Sequence, residues 1–213
     1  MNLFFDIETL PADKSLKETV VDLELKKIAK REEFESEENN KLQKDSEKIY
    51  RLTSLSGDFG QICCIGYALG DGEVQIIKGK EMDILNRWWE IASQADCFIG
   101  HNVMEFDLPF IYKRSIIHKI KPASRHLNLS FARYRSFPIF DTMKEWDKWS
   151  MRNSISLDKL AKVLGLQTSK DGGIDGSQVY DAYLNGKEEE IYEYCKRDVA
   201  LTREVYKCMT FQN

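Results

Sequence analysis

No apolar run in this 213-residue sequence approaches the ~20 residues needed to span a bilayer. The start, MNLFFDIETLP, lacks the basic n-region and the apolar h-region of a secretory leader. Together these absences predict a cytoplasmic chain with no membrane partner. Cysteine pairs are missing as well. Cys63, Cys64, Cys97, Cys195 and Cys208 make no C-x-x-C, and three of them stand among apolar neighbours in strand-like runs. They read as buried free thiols of a reducing compartment. Internal repeats and low-complexity tracts are also absent. With 42% hydrophobic and 11% aromatic content, a single domain over residues 1–213 with a full core is expected.

Two local absences say more. Asp and Glu are missing from Leu108 to Phe140, although the whole chain has a formal net charge of −4. That stretch holds Lys113, Arg114, Lys119, Lys121, Arg125, Arg133 and Arg135, with His118 and His126, and interleaves Phe110, Tyr112, Phe131, Tyr134 and Phe137. Cations for phosphates and aromatics for base faces are what a single-stranded nucleic-acid groove uses. The plain alternative is a basic surface helix and loop with core aromatics. Glycine is missing from Ala12 to Arg51, where about half the residues are charged, of both signs. Leu16, Val20, Leu23, Leu25 and Ile28 form a partial apolar stripe there, which predicts two helices inserted between the first and second strands. Such an insertion serves as a solvated arm held by opposite-charge pairs, or as a flap over the path of a bound strand.

The rest of the chain is regularly punctuated. QICCIGYALG reads as a buried strand, and Gly70-Asp71-Gly72 as a turn into a hairpin partner at Val74–Ile77. Glu81 to Ala95 is helical with a broad apolar face. Cys97-Phe98-Ile99-Gly100 is a short buried strand, and Pro109 suits the first turn of the helix after it. Ile139-Phe140 leads to Asp141, which reads as a cap or supporting residue, with Thr142 and Glu145 spelling a capping box. Ser156 opens a helix that ends at Gly165, and two further helices close the sequence. The order predicts an α/β three-layer fold on a mixed sheet of about five strands, near the mean for sheets.

Three acidic segments carry the chemistry: FFDIETLP, FIGHNVMEFDLP and YCKRDVALT. They offer Asp6, Glu8, Asp107 and Asp198. Asp6 and Glu8 are two apart on a strand and leave the same face, with Ile7 turned into the core. Tyr194 and Asp198 are four apart on a helix and lie on one side. A site built from Asp and Glu suits hard divalent ions, where one rich in cysteine or histidine would not. Two such ions can activate water and stabilise a leaving oxygen in phosphodiester hydrolysis.

In this order, over nearly the full chain, the segments resemble the DEDD superfamily of 3′–5′ exonucleases. The third segment resembles its tyrosine branch (DEDDy), near the stand-alone exonucleases related to the proofreading domain of family B DNA polymerases. The sister branch places histidine five positions before the last aspartate; here that position is Glu193. The resemblance implies a ribonuclease H-like fold with Asp6 and Glu8 on the central strand. It implies two Mg²⁺ or Mn²⁺ ions held by Asp6, Glu8, Asp107 and Asp198, and Tyr194 holding the attacking water. It places Asn102 and Phe106 at the 3′-terminal nucleotide and Thr9 and Leu10 against its sugar and base. Lys170 is expected to reach a phosphate, and Arg133 and Arg135 to line the strand path. The implied substrate is single-stranded or frayed DNA, in preference to RNA. An RNA-trimming exonuclease and a non-catalytic nucleic-acid-binding adaptor are the alternatives. An RNase H-type endonuclease fits the Asn-x-x-x-Phe-Asp and Tyr-x-x-x-Asp patterns less well.

Overall fold

The computed structural model describes residues 1–32, 45–123, 127–150, 154–168 and 173–212. β1 (Asn2–Leu10) alternates strictly. Leu3, Phe5 and Ile7 enter one core cluster, while Phe4 and Leu10 enter clusters on the opposite face. It lies at the centre of a five-stranded sheet of order β3-β2-β1-β4-β5. β2 (Gln61–Leu69) pairs antiparallel with β1 and with β3 (Gln75–Lys78). β4 (Cys97–Gly100) runs parallel to β1 and to β5 (Ile139–Asp141). The mixed α/β sheet expected from the sequence is the one observed.

On the Leu3/Phe5 face, α3 (Glu81–Ala92) buries Ile84, Leu85, Trp88 and Trp89. Trp88 is fully buried, with its ring 4.8 Å from that of Phe5. Truncating an aromatic of this kind to alanine costs about 3–5 kcal/mol. α4 (Asp107–Ile117) packs beside it through Leu108, Phe110 and Ile111. Among the described residues α5 (Leu129–Ala132), α6 (Thr142–Trp146), α7 (Leu157–Val163) and α8 (Val179–Leu184) follow, and the opposite face carries α9 (Glu188–Met209), whose Val199 and Tyr206 meet Phe4 and Ala68. Gly66 of β2 makes that approach close, since a Cβ there would stand 2.9 Å from Cys195 Sγ and 3.0 Å from Val199 Cγ2. Among the described residues, no helix is long and apolar enough to cross a membrane.

The insertion forms α1 (Lys17–Glu32) and α2 (Ser46–Leu52), which pack on each other. Their shared face is Val20, Val21, Ile49 and Tyr50, with Leu25 at its margin. Leu16 and Leu23, expected on the stripe, are 43% and 45% exposed, because Val21 rather than Leu23 completes the inner face. The side chain of Ile28 lies outside the described residues.

The basic stretch also divides differently from its composition. Arg114 is buried and makes a bidentate pair with Glu81, at 2.8 and 2.7 Å. His118 Nε2 lies 2.7 Å from the same carboxylate, and Ile62 N–H donates to it at 2.8 Å. Burial alone would raise the Glu81 pKa, but Arg114, the Ile62 N–H and His118 together hold it below the ordinary value. Arg114 and His118 therefore tie α3, α4 and β2 together. Phe110 is core, and Tyr112 stacks on Trp89 at 5.4 Å. Phe131, Tyr134 and Phe137 are 57%, 67% and 58% exposed, so three of the five aromatics are placed to meet a ligand.

Candidate active site

Strand pairing sets the first two carboxylates. Asp6 pairs across to Gly66 and Glu8 to Cys64, and the register shifts between Glu8 and Thr9. Such an irregularity bends a strand and re-aims the side chains beside it. Asp6 is half-buried and Glu8 buried, both toward α9. Asp107 opens α4 and is 2% exposed, and its Oδ1 accepts the Ile7 N–H at 3.1 Å. That bond places it at the backbone between Asp6 and Glu8. Tyr194 and Asp198 stand one turn apart on α9, the helix whose Cys195 and Val199 pack against Gly66. The Tyr194 hydroxyl lies 3.8 Å from where a Cβ on Gly176 would be.

The structure thus brings together the four carboxylates and the tyrosine expected from the sequence. Electrostatics report the crowding. Burial raises the Asp6 pKa well above the ordinary range, and Asp107, Glu8 and Asp198 raise it further. Burial does the same to Glu8, assisted by Asp198. Asp107 is pushed up to about 7, chiefly by burial and against the Ile7 N–H bond that opposes the shift. The Tyr194 phenol is raised far above its ordinary value by burial and by Asp198, Glu8 and Asp6, so it stays protonated. Like charges held this close favour protons or cations over bare anions.

Cys195 was not among the expected site residues. Its sulfur, Asp6 and Glu8 offer ligand atoms within 4.8 Å of one another, the tight acidic group among the described residues. Burial pushes its thiol up to about 12, so it is a neutral donor, 3.5 Å from Asp6 O and 3.7 Å from Asp6 Oδ2. The available signal was its place on the helix, three residues before Asp198.

Beside the carboxylates opens a cleft of about 650 Å³. Glu8, Thr9 and Phe106 line one side, Lys48, Arg51, Leu52, Ser54 and Leu55 of the insertion another, and Gly176, Ser177 and Tyr180 close it. Thr9 is at the cleft, with its hydroxyl donating to Ser54 O at 2.7 Å. Leu10 is not: it is buried with Cys63, Cys64 and Val179, because α8 (Val179–Leu184) covers that end of the strand. Asn102 sits in the left-handed region at φ 62°, half-buried, with its N–H donating to Asp141 Oδ1 at 3.0 Å. Asp141 also accepts from Met104 N at 3.0 Å and caps α6 (Thr142–Trp146) through Met143 N and Lys144 N, so it supports the turn that carries Asn102. The cap is Asp141 itself rather than Thr142, which is buried as the first helical residue. A Cβ on Gly100 would stand 2.0 Å from Val103 Cγ1, so this turn requires glycine.

Arg133 pairs with Glu105, next to Phe106, at 3.2 Å. Arg135 lies over the Phe131 ring at 4.4 Å, and both arginines are exposed. Lys113 pairs with Asp58 at 2.8 Å. Lys170, Arg125 and His126 lie outside the described residues.

A family model described as "Predicted 3′-5′ exonuclease related to the exonuclease domain of PolB" matches residues 61–213. That interval contains Asp107, Tyr194 and Asp198; Asp6 and Glu8 precede it. Among solved structures, the chain is similar to the family B DNA polymerase of the hyperthermophilic archaeon Pyrobaculum calidifontis. The TM-score is 0.64 at 14% identity, over 98% of this chain and 24% of that one. The chain therefore spans about a quarter of the polymerase, and the likeness is one of fold, ribonuclease H-like in layout. A comparison with curated proteins returned no match.

Proposed function

The chain belongs to the family of predicted 3′–5′ exonucleases related to the exonuclease domain of PolB, and from that premise we propose that it shortens single-stranded or frayed DNA from the 3′ end. The products are nucleoside 5′-monophosphates, and the site is of the DEDDy kind with two Mg²⁺ or Mn²⁺ ions. The observation that carries this reading is the set of buried carboxylates beside an open cleft, with pKa values driven upward by burial and by one another. Hard oxygen donors crowded in this way fit divalent cations, which remove the repulsion that raises those values. Asp6, Glu8, Asp107 and Asp198 would hold the ions. When bound, the ions supply Lewis-acid stabilisation of the phosphoryl oxygens and lower the pKa of the attacking water.

The chain's own groups do the positioning. Tyr194 keeps its proton, so its role is to orient the water by a hydrogen bond rather than to act as a base. Cys195 donates to Asp6 and limits how that carboxylate can turn. Thr9, Asn102 and Phe106 are assigned to the terminal nucleotide, and Arg133 and Arg135 to the strand behind it. The water oxygen bonds to phosphorus as the bond to the 3′ oxygen breaks, which leaves a new 3′ hydroxyl and a 5′-monophosphate.

The test is digestion of end-labelled DNA and RNA oligonucleotides with Mg²⁺, Mn²⁺ or EDTA. A ladder shortening from the 3′ end of DNA, abolished by EDTA and by a bulky 3′ block, is expected. Shortening from the 5′ end, or full hydrolysis in excess chelator, rejects the reading. Preferential trimming of RNA would transfer the same site to the RNA-processing alternative, and cleavage of circular strands to an endonuclease.

A further inference from the structure

The insertion after β1 supplies one wall of the cleft. Leu52 and Leu55 are 51% and 61% exposed, and both line the same cavity as Glu8, Thr9 and Phe106. This wall is fastened to the strand that carries Asp6 and Glu8. Thr9 Oγ1 donates to Ser54 O at 2.7 Å, Ala12 N donates to Thr53 Oγ1 at 2.9 Å, and Tyr50 OH donates to Ala12 O at 2.8 Å. Its distance from the carboxylates is therefore fixed by short bonds rather than by a loose linker.

The charges on the wall are largely matched. Arg51 pairs with Glu47 at 3.1 Å and Asp181 at 2.8 Å and lies 5.1 Å over the Tyr180 ring. Glu47 is also held by Lys17 at 2.6 Å, and Asp45 accepts the N–H groups of Glu47 and Lys48. Lys48 is exposed on the cleft and has no carboxylate partner among the described residues. Two exposed leucines, the Phe106 and Tyr180 rings and one unmatched cation are among the groups that line a cavity of about 650 Å³. Pockets for small organic ligands span about 300–1,000 Å³. The wall also precedes the stretch matched by the family model, residues 61–213, so that match does not account for it.

We propose that the segment from Lys48 to Leu55 is the seat of the 3′-terminal nucleotide, with Leu52 and Leu55 closing on its base opposite Phe106 and Lys48 taking a backbone phosphate. This rests on the exonuclease reading above and adds to it the part of the chain that selects the end. An apolar wall takes any base face, so the seat favours an unpaired terminal base over one held in a duplex. The aromatic at position 106 and the leucines grip the nucleotide, while the carboxylates reach its phosphate.

Two variants test the seat, Leu52→Ser with Leu55→Ser, and Lys48→Ala. All three side chains are exposed, and unchanged melting checks the fold. With Mg²⁺ or Mn²⁺, each variant is expected to raise KM about tenfold or more, while kcat on saturating DNA stays within a few-fold. Leu52→Met with Leu55→Met should restore KM, which a general loss of packing would not predict. A second readout avoids turnover. In an Asp198→Ala background, a 3′-terminal 2-aminopurine should change fluorescence on binding, and the leucine-to-serine pair should abolish that change. Parent protein that fails to shorten DNA sinks the exonuclease reading. Active parent protein whose KM and fluorescence response survive in both variants overturns the seat alone.

Discussion

Replacing Asp107 by asparagine should make the metal-free protein more stable at alkaline pH while removing its activity. Asp107 is 2% exposed, and its pKa stands at about 7 against an ordinary 3.8. At about 1.4 kcal/mol per unit, that gap sets a ceiling of about 4 kcal/mol on the cost of ionising it in the folded chain. An acid whose pKa is higher folded than unfolded keeps its proton after the unfolded chain has released its own. Well below pH 3.8 both states are protonated and the cost is nil. As pH rises through about 7, the folded state loses the full amount. Asp6 and Glu8 are raised in the same direction and add to the trend. Asparagine keeps an oxygen for the Ile7 N–H but cannot ionise, and its buried amide adds a cost that does not depend on pH. The signature is therefore a slope. Urea denaturation in EDTA at pH 4 and pH 8 should show the stability of the variant relative to the parent rising by up to about 4 kcal/mol. Mn²⁺ should stabilise the parent far more than the variant. A difference that is flat between pH 4 and pH 8 would falsify the view that Asp107 is held against its own charge.

Tyr194→Phe should keep the fold and metal response but lower kcat by about 10²-fold, the usual size of a lost positioning or proton-transfer contact, as read by single-turnover digestion. Arg133→Ala with Arg135→Ala should raise KM and flatten the salt dependence of binding by roughly one counterion per lost phosphate contact; an unchanged salt slope assigns both arginines to plain surface. Glu81→Gln leaves the buried Arg114 without its bidentate partner and should cost about 3 kcal/mol or more in urea denaturation. A loss below 1 kcal/mol would show that water already reaches the pair.

The sequence made the local pairs legible, because their spacing is geometric. Two residues apart on β1 fixes Asp6 and Glu8 to one face, and four apart on α9 fixes Tyr194 and Asp198 to one side. Cys195 was hidden because a thiol among apolar neighbours looks like packing; only the closeness of α9 to Gly66 turns it toward Asp6. Leu10 shares the parity of the carboxylates, and nothing in β1 announces that Val179 will cover it. The cleft wall was illegible for a related reason, since it depends on Ser54 folding back onto Thr9, 45 positions away. Composition overstated the basic stretch, because Arg114 finds its carboxylate 33 positions upstream.

The route of the chain through this site has a consequence for how the protein comes into being. β1 is made before β5, and α9 after it. Asp6 therefore waits for Tyr194 and Asp198 until α9 has been made. A nascent chain that has made the sheet as far as β5 still lacks the helix that completes the acidic cluster. On the proposed chemistry it is harmless to any nucleic acid it meets. On that same chemistry the ability to cut arrives when α9 docks against Gly66, so the order of synthesis acts as a safety catch.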